Sequence, residues 1–171
     1  MAQILTRPLA TLVICALASL LTACAEPDQV LDGTTTVEIS DRTYELEIVA
    51  DQDSRTKGLA GRESIPERTG MLFVFPESRV RRFVMRGCLV DIDIIFLDGA
   101  GRVVTTHHMP AEPLRKDNET AAQYEGRLTK YSSRFNSKYA IEIPGGALEE
   151  LDLDPGDPIN LDTQALDALA R

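Results

Sequence analysis

Between Arg79 and Asp93 this chain concentrates the side chains that could do chemistry. Four guanidinium groups, at Arg79, Arg81, Arg82 and Arg86, stand close together in a protein that carries 27 acidic and 18 basic residues. Guanidinium clusters hold carboxylates or phosphates bidentately. The same charges, on a hairpin edge, also block edge-to-edge pairing. Asp91 and Asp93 follow at i and i+2, on one face of a strand with Cα atoms roughly 7 Å apart. Two carboxyls so placed could divide acid and base roles. They could equally form ion pairs with Arg62 or Arg86.

His107 and His108 end an apolar run, and a strand there points them opposite ways. His108 is thus a candidate general base beside Asp91 and Asp93. Met85, Cys88 and the histidines are ligand types that suit Cu(I), but no C-x-x-C, H-x-x-x-H or Met-rich repeat supports a metal site. No Walker loop, G-x-S-x-G or H-E-x-x-H occurs either. No metal and no cofactor is implied.

These residues need strands to hold them. Met71 to Phe75 is apolar on both faces and reads as a central strand that Pro76 stops. Val80 to Met85 reads as the next. From Leu89 to Leu97 the even positions are all apolar, while the odd ones change from Asp91 and Asp93 to Ile95 and Leu97. Asp93 therefore sits at the edge of the core, where an ionised carboxylate needs a partner. The Asp98 to Gly101 turn returns Val103 to Met109 as a hairpin.

Upstream, Val37, Ile39, Tyr44, Leu46 and Ile48 alternate with polar residues, a second hairpin. Asp51 caps a short helix that Gly58 or Gly61 closes. Asn118 to Leu128 could be helical inside an otherwise irregular stretch from Pro110 to Ser137, whose tyrosines, Tyr124 and Tyr131, could cover a site. Lys138 to Ile143 reads as a strand with Glu142 on the face opposite Tyr139. A short helix from Ala147, a strand from Pro158 to Asp162 and a helix capped by Thr163, with Leu166 and Leu169 inward, complete the chain. The pattern predicts a mainly β, α+β domain, a small barrel or sandwich with short peripheral helices.

The first residues read as an address. Leu9 to Leu21 is an apolar run of 13 residues, short of the roughly 20 needed to cross a bilayer. It ends in Leu21-Thr22-Ala23-Cys24, the pattern of a lipobox. Residues 1–23 are thus expected to be a lipoprotein signal peptide, with lipidation at Cys24. Residues 24–35 form a tether with a reach of roughly 17 Å, and residues 36–171 one globular domain. With Ala25 after the Cys, the expected address is the periplasmic face of the outer membrane. Cys88 would be the remaining thiol, so no disulfide framework exists. The formal net charge of −9 repels phosphate backbones and argues against nucleic acid as a partner.

Gly58, Leu59, Gly61 and Arg62, then Gly70 to Phe73 and Phe75, then Phe83, Met85, Leu89, Asp93, Ile94 and Phe96 to Asp98, and finally Glu142, Gly156 and Asp157 resemble the pattern of the domain of unknown function 192 family over roughly residues 36–161. The chain departs from that pattern at Val84, Arg86, Gly87, Cys88 and Asp91. A role common to the family could fall on Arg62, Met85 or Asp93. The resemblance implies a compact, mostly β, often exported domain and supplies no activity.

The sequence thus points to a membrane-anchored periplasmic lipoprotein that binds a small anionic or sugar-like ligand through Arg62, Met85, Arg86, Asp93, Tyr131 and Glu142. The alternatives are an envelope hydrolase using Asp91, Asp93 and His108, and a scaffold for another envelope protein.

Overall fold

The computed structural model describes residues 33–170. The expected signal peptide, Cys24 and most of the tether lie outside the described residues. Within them, no helix is long and apolar enough to cross a membrane.

Six strands form one sheet in the order β1-β2-β3-β6-β4-β5. They are β1 (Thr34–Ile39), β2 (Arg42–Val49), β3 (Thr69–Phe83), β4 (Ile92–Leu97), β5 (Val103–Met109) and β6 (Tyr131–Pro144). Three short helices, α1 (Gln52–Lys57), α2 (Ala121–Arg127) and α3 (Thr163–Leu169), and a 3-10 turn at Ala147–Glu150 accompany them. The class is mainly β with short helices. The sheet is open, because β1 and β5 are both edges, so it does not close into a barrel.

Strand β2 runs parallel to β3, Glu45 against Thr69 through Val49 against Phe73. A parallel neighbour requires a crossover, and α1 lies in it. Asp51 starts α1 by accepting from the backbone N–H groups of Asp53 and Ser54, each at 3.0 Å. Gly58 ends it at φ +50, a conformation that favours glycine.

Side-chain alternation sorts the core onto two faces of the sheet. Leu46, Leu72, Val74, Ile95, Leu97, Tyr139, Ile141 and Ile143 pack on one face under Leu151, Ile159 and Leu166. Met71, Phe73, Ile92, Ile94, Phe96 and Ala140 pack on the other with Leu59, Met85 and Cys88. Each fully buried large side chain contributes about 1.5–3 kcal/mol. Tyr139 ties β6 to α3 by donating its hydroxyl to Asp167 Oδ1 at 2.6 Å.

Strand β3 does not stop at Pro76. Val74 pairs with Tyr139 and Arg79 with Ser137, so residues 75–78 stand opposite Lys138 alone. Pro76 falls in this bulge, where a missing N–H breaks no ladder bond. The second half of β3 then folds back. Ten extended residues span about 33 Å, yet the rings of Phe73 and Phe83 lie 5.0 Å apart, edge to face. Phe83 also meets Phe96 at 5.4 Å. The returning arm, with the start of β6 paired to it, lies over the face that carries Phe73 and Phe96. A second bulge sets Arg81 against residues 133–135, where its N–H donates to Ser133 Oγ at 2.9 Å.

Other local expectations shift. The helix expected from Asn118 starts later, with Thr120 capping α2 through a reciprocal box with Gln123. Asp162, not Thr163, caps α3, and Leu169 is exposed while Leu166 is buried. The strand expected from Pro158 reduces to one bridge, Pro158 with Arg102.

Candidate functional site

The folded-back arm leaves a cavity of about 580 Å³ between itself and α1. Its walls are Leu59, Phe73, Phe75, Phe83 and Val84. Six basic side chains, Arg55, Lys57, Arg79, Arg81, Arg82 and Arg86, line it against two acidic ones, Glu77 and Glu142. In a chain of net negative charge, this is a local reversal of sign.

The elements explain the placement. Arg55 lies in the last turn of α1 and donates to the Val74 carbonyl at 2.9 Å, which pins the helix to β3. Arg81 is buried, and its guanidinium stacks 4.0 Å over the Phe75 ring while donating to the Glu77 carbonyl. Burial, with Arg79 nearby, lowers its pKa to about 10. Arg86 forms a two-pronged pair with Glu125 of α2, the longer contact 2.8 Å. Tyr124 of α2 accepts from the Gly87 N–H at 3.0 Å, fixing the chain between the arm and β4. Arg82 is exposed, and no hydrogen bond or ion pair engages its guanidinium among the described residues.

Glu142 sits on β6, facing the same way as Ala140 and Ile94, its partner across the ladder. It is 6% exposed. Among the described residues, nothing hydrogen-bonds or ion-pairs with its carboxyl. Burial alone raises its pKa to about 8, so the acid is mostly protonated at neutral pH. Gly58 lies beside it: a Cβ there would stand in ordinary contact, 3.8 Å from Oε2 and 3.4 Å from the Phe73 ring. Cys88 lines the same cavity, and its thiol is pushed up to about 11 by burial and by Glu142.

Asp93 is elsewhere. It pairs with Ile143 and His108 in the ladders, whereas Ile94 pairs with Glu142 and His107. The sheet therefore separates Asp93 and His108 from Glu142. The expected guanidinium partner of Asp93 is replaced by His108, whose Nδ1 lies 2.7 Å from Oδ1. Oδ2 accepts from the Leu148 N–H at 2.8 Å. Asp91 Oδ2 is 3.9 Å from His108 Nε2, and its other oxygen accepts from the Ala111 N–H. Thus Asp91, Asp93 and His108 do come together, away from the cavity.

Of the residues expected to bind ligand, Arg86 and Glu142 line the cavity. Arg62 is drawn off by Glu47, at 2.7 and 2.6 Å. Met85 is fully buried in the core beneath. Tyr131 packs on the His107 ring at 5.7 Å, and neither it nor Tyr124 lines the cavity. Sequence reasoning missed Lys57 and the Phe73–Phe75–Phe83 wall. The glycine at the α1 terminus was the available signal for the first. No group of three or more His, Cys, Asp or Glu among the described residues could hold a metal ion.

Comparison with known proteins agrees with this architecture. The family model for domain of unknown function 192, described as an uncharacterized ACR, matches residues 35–161. No curated protein matches. A crystal structure from Sinorhizobium meliloti 1021, described as a candidate transcription regulator, is 26% identical with a TM-score of 0.57, covering 73% of this chain and 89% of its own. A protein of unknown function from Novosphingobium aromaticivorans DSM 12444 shares the fold at 23% identity and a TM-score of 0.59, covering 81% of this chain and 94% of its own.

Proposed function

Since this chain belongs to the domain of unknown function 192 family, a family whose name carries no activity, we propose its function from the cavity: it is a binding module for a small anionic ligand. The supporting observation is a buried carboxyl with no hydrogen-bond or ion-pair partner among the described residues, facing a cavity rimmed by basic side chains. A recess in which a few polar groups converge beside aromatic walls is a common setting for a small molecule. Arg82 would take the anion, assisted by Arg79 and Lys57, and Phe73 and Phe83 would take its apolar body. The lipobox at Cys24 supports a lipid-anchored module at the periplasmic face of the outer membrane. The transcription-regulator description of the Sinorhizobium relative is not carried over, because 27 acids against 18 bases repel nucleic acid.

Thermal unfolding in the presence of small carboxylates, sugar acids and inorganic phosphate tests the reading. Binding raises the midpoint. Arg82→Ala removes the rise while leaving the ligand-free midpoint near that of the native chain. A native protein whose midpoint none of them moves at millimolar concentration refutes it. Replacement of Cys24 by Ser removes the acceptor of the lipid, so incorporation of labelled palmitate is lost if the address is as read.

A second reading draws on the Asp93–His108 contact, which orients an imidazole as a hydrolase would. It predicts an ester or amide turnover that His108→Ala abolishes. The same contact also serves as a latch between β4, β5 and the 3-10 turn.

A further inference from the structure

The cavity has two chemically different ends, and each constrains what can occupy it. At one end the exposed guanidinium of Arg82 and its neighbours favour an anion. At the other, Glu142 is an acid without a counter-charge among the described residues. Buried acids in folded chains are ordinarily paired. Here the nearby cations are committed elsewhere. Arg86 is held by Glu125, Arg81 by Phe75 and the Glu77 carbonyl, and Arg55 by the Val74 carbonyl. Lys57 of α1 and Arg79 and Arg82 of β3 also line the cavity, yet burial is the one influence on Glu142. Cys88 faces it as a neutral thiol.

A simple cation would answer Glu142 but would have to pass six basic side chains. A simple anion would answer those and leave the acid unmatched. Resting on the reading of the cavity as an anion site, we propose that the ligand is a small zwitterion. Its carboxylate or phosphate lies on Arg82, its primary ammonium on Glu142, and an apolar spacer lies between them along Phe73, Phe83 and Leu59. A volume of about 580 Å³ leaves room for a chain longer than a bare α-amino acid. On binding, the Glu142 carboxyl gives its proton to solvent and the ammonium keeps all of its own, so the pair forms with release of one proton.

Calorimetric titration of the purified protein with three matched probes tests this: 6-aminohexanoate, hexanoate and hexylamine. The expected result is 6-aminohexanoate binding about tenfold tighter than hexanoate, the value of one added charge-assisted contact, with hexylamine weakest. The 6-aminohexanoate affinity should rise from pH 6 to pH 8, as less free energy goes to deprotonating Glu142. In Glu142→Gln the two acids should bind equally. Equal affinities for the two acids in the native protein overturn the zwitterion and leave the anion site standing. Binding of none overturns both. 3-Aminopropyl phosphate against 6-aminohexanoate identifies the anionic head: tighter phosphate binding that Arg82→Ala removes assigns a phosphate, and the reverse ranking a carboxylate.

Discussion

Asp93 and Glu142 lie on adjacent strands and point to opposite sides of the sheet. The ladder matches Glu142 with Ile94 and Asp93 with Ile143. Two acids near in sequence pattern and in space thus serve separate purposes. One holds a hydrogen bond on each carboxylate oxygen, and the other has none among the described residues.

The hydrogen-bonded acid should dominate local stability. Asp93→Ala strips partners from both His108 and the Leu148 N–H, and we expect a loss of roughly 2–4 kcal/mol in urea unfolding. His108→Ala should cost less, about 1 kcal/mol, because the imidazole is half exposed and solvent screens the pair.

His108 also sets a pH dependence. Asp93 raises its pKa above the ordinary value. The folded state then holds the proton more tightly than the unfolded one. The contribution is complete below about pH 6.5 and disappears as pH rises through the elevated value. Unfolding midpoints of the native chain and His108→Ala, compared between pH 5 and 9, should converge toward the alkaline end. A difference that grows with pH would contradict the assignment.

Glu142 acts over a different interval. Its pKa stands at about 8 folded against about 4.3 unfolded. Between those values the folded state binds more protons, so stability falls as pH rises from about 4.3 to about 8 and levels above. Glu142→Gln should flatten that slope and stabilise the ligand-free protein by roughly 2–4 kcal/mol at pH 9. Denaturant titrations across the range measure it.

Gly70 is fixed by packing, not by backbone angle. A Cβ there would stand 2.1 Å from the Glu142 carbonyl oxygen and 3.1 Å from both Ile143 and Leu46. Gly70→Ala should cost about 2–3 kcal/mol or prevent folding. Gly99→Ala, which meets nothing within 4 Å, is the control.

Cys88 should be chemically quiet. It is buried, and its thiol titrates near 11. Alkylation of Cys88 by iodoacetamide at pH 7.5, followed on the peptide that carries it, should run at least about tenfold slower in the folded protein than in urea.

Much of this was written in local pattern. The alternation of Leu89 to Leu97 places Asp93 at the edge of the core, and the structure takes it further, burying it fully. The alternation around Tyr139 places Glu142 on the other face of its own strand. The missing information is non-local. β6 inserts between β3 and β4, and one residue of register there decides which acids share a side. His108 could not be chosen over Arg62 as the partner of Asp93 without that register. Pro76 misled because its effect depends on whether a ladder bond is required at that position, and the bulge removes the requirement.

That bulge also makes the molecule adjustable. Removing two of residues 75–78 would keep every inward side chain inward, since strand parity is two, while drawing the guanidinium row about 6–7 Å along the sheet. Adding two would shift it outward by the same step. The span between the cationic lip and the acidic base is thus governed by the short stretch that also holds the lip, through the Phe75 ring under Arg81 and the Glu77 carboxylate beside Arg79.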